Sequence, residues 1–379
     1  MSAAADWLAS GVVSLTGHPD GPPLVPPGRA ASVAARLGAV FGVDGAALLG
    51  ERAALSGRVR AGRVSVGGAC RLLRTADGWA AVSCARPDDP ALLGAVVENP
   101  LPEDDPWPRL EAALGRMPGA VLAERAAMLG VAAAPLDPRW ERKDVRGGAI
   151  APLSTATDLR GKLVVSFAAL WAGPLCAHLL GLLGARVVTV ETPRRPDGAR
   201  RGDPRFHAVL HSGERSVVLD PERDRAALQD LVAAADVVVE ASRPRALRGF
   251  GLSAEEAVAR GTTWVSITAA GRASNRIGFG DDVAAAAGLV ARDAAGLPVF
   301  VGDAIADPLT GLTAAVLAAT EPGVLHDVSM TAVVADTLDG TPGGPVARAP
   351  LPLPRHRPVP PPGPTTGADT ADVLAGLLS

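Results

Sequence analysis

The runs Lys162-Leu-Val-Val-Ser-Phe167 and Leu183-Gly-Ala-Arg-Val-Val-Thr-Val-Glu191, with Trp171-Ala-Gly-Pro174 between them, decide the fold. Two short Val-rich segments bracket an apolar stretch, Leu175 to Leu183, whose composition suits a helix. Strands that are apolar on both faces and separated by helices belong to parallel sheets covered on both sides. The same alternation continues outward. Ser216-Val-Val-Leu-Asp220 reads as a strand, Arg223 to Ala234 as a helix and Asp236-Val-Val-Val-Glu240 as a strand, and Thr263-Trp-Val-Ser-Ile-Thr268 completes the set. The expected class is α/β, with a Rossmann-like parallel sheet forming a large domain over 149–335. A first segment, 1–148, mixes helical stretches (Arg29 to Phe41, Arg109 to Leu129) with a hairpin turning at Ala76-Asp-Gly78, and reads as a smaller α+β domain. In the third segment, 336–379, the proline-rich run Pro350 to Pro364 predicts an extended arm. A short helix from Asp372 to Leu378, capped near Asp369 or Thr370, follows it.

Composition removes several function classes. The chain has 379 residues, 48% hydrophobic and 20% charged, with net charge −3, so neither nucleic acid nor an anionic membrane is favoured as a partner. No basic leader and no run of about 18 apolar residues is present, which predicts neither export nor membrane spanning. Lys occurs only at 143 and 162, so the basic residues are almost all Arg and Arg clusters carry less weight than usual. Cys70, Cys84 and Cys176 form no CxxC, consistent with reduced thiols in a cytoplasmic protein. The histidines at 18, 178, 207, 211, 326 and 356 make no HExxH and no paired ligands by spacing, so no metal is expected.

Three stretches hold candidate chemistry. In Arg276-Ile-Gly-Phe-Gly-Asp-Asp282 two glycines allow a sharp turn, and an alanine-rich helix starts at Val283. Asp281 and Asp282 therefore lie at a helix N-terminus, where free N–H groups and the macrodipole stabilise negative charge. Asp282 is then either a helix cap or a nucleophile with oxyanion donors beside it. In the first βαβ unit Glu191 ends the second strand, but Trp171-Ala-Gly-Pro-Leu-Cys176 lacks the GxGxxG that lets backbone approach a pyrophosphate, which argues against a nicotinamide site. A Walker motif and a GxSxG elbow are also missing. The loop after Glu191 carries Arg194, Arg195, Arg200 and Arg201 at the carboxyl end of a strand. It is either a solvated loop or a phosphate clamp. A faint echo links Asp6 to Val25 with Asp282 to Val299, so 6–36 reads as a partial repeat of the region after Asp282.

Taken in order, these segments resemble the large domain of the family III CoA-transferases, a group that includes formyl-CoA and carnitine CoA-transferases and α-methylacyl-CoA racemases. The resemblance rests on Trp171 to Pro174, Leu183 to Glu191 and His211-Ser-Gly-Glu-Arg-Ser-Val-Val-Leu-Asp220. It continues through Ala235 to Glu240 with Arg243-Pro244, Ser266-Ile-Thr268, Gly280-Asp-Asp282, Ile305-Ala-Asp-Pro-Leu-Thr-Gly311 and His326 to Met330. Residues 60–145 resemble the family's small domain, which here precedes the large domain, so the order is permuted or tandem-derived. The resemblance implies coenzyme A as substrate, transfer between an acyl-CoA and a carboxylate, Asp282 as nucleophile, and CoA contacts from Trp171, Ala172 and Arg243 beside the four loop arginines. It also implies a homodimer. The departures are Ala241-Ser242 before Arg243, a displaced arginine in Leu247-Arg-Gly-Phe-Gly251, and no clear glycine-rich loop, since Gly340-Thr-Pro-Gly-Gly344 is a poor counterpart. Asp281 stands where the family has an aromatic residue. A degenerate, non-catalytic CoA-binding subunit and a racemase-like enzyme are the alternatives; the racemase lacks its His–Asp pair at Gly280-Asp-Asp282.

Overall fold

The computed structural model describes residues 2–137, 157–242, 244–346 and 350–376. Its centre is a six-stranded sheet in which every neighbouring pair is parallel. Taken in chain order, the strands are Leu163–Ser166, Arg186–Glu191, Arg215–Val218, Val237–Glu240, Thr263–Thr268 and Leu325–Ser329. They lie across the sheet in the order 3-2-1-4-5-6. This doubly wound order reverses direction between the first and fourth strands, and ligands of such sheets bind outside the carboxyl ends at that reversal. The sixth strand was not in the set that apolar alternation identified, because Leu325-His-Asp-Val-Ser329 exposes Asp327 and is only partly apolar.

Val164, Val165, Val238, Val239 and Val265 are completely buried, as strands covered on both faces must be. One face is covered by the helices Ala172–Leu182 and Ala306–Thr320, which pack closely together. The other is covered by Arg225–Ala233 and Ala254–Ala259. Caps start several helices. Asp203 accepts from the Arg205 N–H with Pro204 at the first helical position, and Ser253 and Ser329 accept from Glu256 and Ala332.

Residues 2–137 divide their side chains among three hydrophobic clusters. Trp7, Val12, Ala30, Ala34, Leu48 and Leu49 pack into the same core as the parallel sheet. Cys70–Arg74, Trp79–Ser83 and Ala133–Pro135 instead form a three-stranded antiparallel sheet. The helices Asp89–Val96, Trp107–Leu114 and Gly119–Leu129 cover one of its faces. The single helix expected over Arg109 to Leu129 is thus two helices. Pro118 lacks an N–H and cannot continue a helix, so it sits in extended backbone (ψ 142°) just ahead of the second. The other face of this sheet, through Leu72, Trp79 and Ala81, packs on Ala285, Val290 and Phe300. That contact joins the small sheet to the helix Gly280–Ala286.

Asp6 and Asp282 lie early in the helices Ala3–Ser10 and Gly280–Ala286, and each accepts from a serine hydroxyl, Ser32 and Ser83. Residues 350–364 carry neither helix nor strand and are exposed or half-buried. The arm then ends in Thr370–Ala375, with Asp369 and Thr370 accepting from the N–H groups of Ser216 and Val218. This covers the outer edge of the sheet, whose unpaired backbone would otherwise be open to other strands.

The crossing of Ala172–Leu182 and Ala306–Thr320 depends on Gly311, where a Cβ would lie 2.7 Å from the Ala172 carbonyl oxygen. Alanine is the better helix former by about 1 kcal/mol, but the overpacking it causes here costs about 1–3 kcal/mol. Gly311→Ala is therefore expected to lower the urea midpoint; a raised midpoint would show that the helices separate freely.

Candidate active site

The first strand ends at Ser166, and the chain turns through Leu170 into Trp171 at the point where strand order reverses. Leu170 adopts φ +72°, unusual for a residue with a side chain, and its N–H donates to Asp197 at 2.9 Å. Gly173 packs against this turn so tightly that a Cβ would lie 2.1 Å from the Ala168 methyl. Trp171 is buried, its Nε1 finds no acceptor among the described residues, and its ring meets Phe206 edge-on at 5.1 Å. The Arg52 guanidinium lies over the Trp171 ring at 5.0 Å.

Arg52 comes from the helix Glu51–Ser56 and grips the fully buried Asp303 with two parallel hydrogen bonds, Nε to Oδ2 at 2.9 Å and Nη2 to Oδ1 at 2.5 Å. Burial works against its charge, but Asp303, Asp281 and Asp307 together hold it firmly cationic. Next to Asp303, Ala304 takes φ +45° and donates its N–H to Asp281 at 2.8 Å. Asp307 accepts from the Gly280 N–H. A Cβ at Gly280 would come within 2.3 Å of both the Asp307 carboxylate and the Ala304 carbonyl oxygen, so only glycine fits there.

Asp282 is completely buried where the small sheet meets the helix Gly280–Ala286. Its Oδ1 accepts from the Ser83 hydroxyl at 2.9 Å and from the Phe279 N–H, the backbone group at the helix N-cap, at 2.8 Å. Its Oδ2 has no partner among the described residues, and neither do Nε and Nη2 of Arg276, the nearest cation to act on it. Burial is the first cause that raises Asp282 to about 6, opposed by the bonds from Phe279 and Ser83 and by Arg276. Burial also raises Asp281 to about 6, aided by Asp303 and opposed by Arg52, with Asp282 a smaller contributor. Asp307 reaches about 7 chiefly through burial. Repulsion between the adjacent acids is thus secondary to desolvation.

The expected residues are not all brought together. Trp171 reaches the acid cluster through Arg52, whereas Ala172 opens the helix Ala172–Leu182 and has no such link. Arg194, Arg195 and Arg201 lie exposed on the loop after the second strand. Arg200 does not: its guanidinium pairs with buried Glu191 (2.6 Å) and donates to the Pro364 carbonyl. Arg243 lies outside the described residues. Arg52, Ser83, Arg276, Asp303 and Asp307 had no assigned role in the sequence. Asp303 and Asp307 flank the start of an apolar helix and offered a signal, whereas Arg52 and Ser83 come from distant segments and offered none. His207 and His211, unpaired by motif, stack at 4.4 Å on one helix face because residues four apart are neighbours there. No helix among the described residues is long and apolar enough to cross a membrane.

Residues 159–353 match the family described as CoA-transferase family III. The chain belongs to that family. It is 29% identical over 174 residues to succinyl-CoA–D-citramalate CoA-transferase of Chloroflexus aurantiacus, covering 40% of this chain and 43% of that protein. It is 31% identical over 109 residues to formyl-CoA:oxalate CoA-transferase of Afipia carboxidovorans, covering 26% of each. A CaiB/BaiF family protein from Brucella suis is 29% identical, with TM-score 0.43, over 48% of this chain and 56% of that one. The chain thus spans less than half the length of these curated relatives.

The raised carboxyls make stability depend on pH. Asp307 has a folded pKa of about 7 against an ordinary 3.8. Between these values the folded state holds a proton that the unfolded state has lost. Its contribution is present below about pH 4 and is lost as pH rises through 7. Asp307→Asn removes this dependence, so the variant's stability relative to the parent is expected to rise between pH 5 and 8, by at most about 1.4 kcal/mol per unit. Urea unfolding at the two pH values checks it; a difference that does not change with pH contradicts the assignment.

Proposed function

We propose that this family III member transfers coenzyme A between an acyl-CoA thioester and a carboxylic acid, with Asp282 as nucleophile. The observation that carries the proposal is the Asp282 carboxylate itself. One oxygen is pinned by Ser83 and Phe279, the other has no partner among the described residues, and both sit at a helix N-terminus beside Arg276. A desolvated carboxylate held by one oxygen presents the other in a fixed direction, and desolvation strengthens its interactions. Asp282 Oδ2 attacks the thioester carbonyl and expels the CoA thiolate, giving a mixed anhydride. The thiolate then attacks the aspartyl carbonyl, releasing the first carboxylate and leaving an aspartyl-CoA thioester. The acceptor carboxylate attacks that thioester, and the thiolate, released again, returns to the acceptor carbonyl and frees Asp282. The unpartnered Arg276 donors suit the incoming carboxylate, and exposed Arg194, Arg195 and Arg201 suit the CoA phosphates. Because Asp282 is enclosed, the small sheet must draw back from the helix Gly280–Ala286 to admit a thioester. A cytoplasmic homodimer belongs to the same reading.

The enclosure of Asp282 and its capping bond also favour a second reading, a CoA-binding subunit in which Asp282 only starts the helix. Incubation with a panel of acyl-CoA donors, hydroxylamine trapping and peptide mass spectrometry separate the two. The transferase reading expects an adduct on Asp282 that is lost in Asp282→Asn and kept in Asp281→Asn. CoA binding with no adduct from any donor supports the second reading, and an adduct on Asp281 overturns the choice of residue.

A further inference from the structure

A second group of ligating side chains lies behind the arginine loop and takes no part in the chemistry above. Asp197, His207 and His211 each bring one ligand atom within 4.8 Å of the other two. All three are more than nine-tenths buried, with exposures of 3%, 8% and 3%. The two imidazoles project from successive turns of the helix Pro204–His211. Asp197 arrives from the loop, where its Oδ1 already accepts from the N–H groups of Leu170 and Ala199 at 2.9 Å each. Its Oδ2 faces His211 Nε2 at 3.5 Å. On the far side of that ring, Nδ1 lies 2.8 Å from Glu214 Oε2, which also accepts from Thr189 at 2.6 Å.

Asp197 Oδ2 and His211 Nε2 have only each other, at 3.5 Å, and His207 Nε2 has no hydrogen-bond partner among the described residues, although all three are buried and converge. Native proteins seldom leave such an atom unpaired, so His207 Nε2, aimed at the other two, calls for an occupant. We propose that Asp197, His207 and His211 form a binding site for a divalent transition metal of the zinc type. Two imidazoles and a carboxylate suit Zn²⁺ or Co²⁺, whereas Mg²⁺ and Ca²⁺ prefer all-oxygen sites. Glu214 behind His211 supplies the carboxylate–histidine arrangement that fixes which ring nitrogen faces a metal. Metal–ligand bonds of about 2.1 Å place tetrahedral donors roughly 3.4 Å apart, so side-chain rotation must close the widest pair by at most about 1.4 Å. The fourth position falls to a water. A protonated His211 held between Asp197 and Glu214 would account for two of the three atoms without a metal, but it leaves His207 Nε2 unexplained.

The role is structural. Through Asp197 the ion would fix the left-handed Leu170 that precedes Trp171 and the first turn of the loop segment Gly198–Arg201. The test uses untagged full-length protein, stripped with a chelator and titrated with Co²⁺ and then Zn²⁺. One Co²⁺ per chain is expected, with tetrahedral ligand-field absorption, no thiolate charge-transfer band, and displacement by Zn²⁺. Zn²⁺ should raise the Tm of the parent. His207→Gln, which removes a nitrogen with no protein partner, should fold as judged by circular dichroism, bind at least tenfold more weakly and lose the Tm response. The absence of stoichiometric binding by the parent at micromolar metal overturns the site, as does unchanged binding by a His207→Gln/His211→Gln double variant.

Discussion

The two parallel hydrogen bonds from Arg52 to Asp303 hold the acid cluster in one arrangement. Asp303 has no solvent exposure, and a carboxylate taken from water without a partner is unfavourable by several kcal/mol. Losing either partner of such a pair typically costs about 3–5 kcal/mol, because the other charge stays buried. The geometry does more than neutralise. With Asp303 fixed, Ala304 is held in a left-handed conformation that aims its N–H at Asp281, and Gly280 fits beneath Asp307 without a side chain. The same guanidinium covers Trp171 at the reversal point of the sheet, so one side chain from the amino-terminal region links acid cluster and crevice.

Asp282 depends on a different junction. Its partner Ser83 ends a strand of the small antiparallel sheet, while Phe279 and the helix Gly280–Ala286 belong to the large core. The carboxylate is therefore complete only when both units meet, and its desolvation is a property of that contact. Burial that raises Asp282 to about 6 still leaves it mostly ionised at neutral pH. Family membership accounts for the succession of segments within 159–353, and activity has to be established on this chain itself.

The parallel sheet was legible because its strands are apolar on both faces and their limits coincide with helix signals; Arg186–Glu191 and Thr263–Thr268 have the ends that the pattern gives. Leu325–Ser329 was not legible from alternation, since an edge strand needs only one covered face and carries Asp327. The Asp281–Asp282 turn stood out for its glycines, but not the reason for Gly280, which is the approach of Asp307 from 27 residues away. Arg52 and Ser83 could not be found, because only tertiary contact across more than 190 residues makes them part of the site. Arg200 stood beside its neighbours as a phosphate contact, and its pairing with Glu191 nine residues earlier was not legible from the spacing. His207 and His211 carried an i, i+4 spacing that a search for metalloprotease motifs passes over.

The central proposal is that coenzyme A binds at the reversal point of the parallel sheet, with its phosphates against the exposed arginines of the loop. Hydrogen–deuterium exchange of the full chain with and without coenzyme A tests it most directly. The account predicts slowed exchange in 167–173 and 194–201, with little change in the helices 89–129 that cover the far side of the small sheet. Protection confined to other segments, or none at saturating coenzyme A, would contradict it.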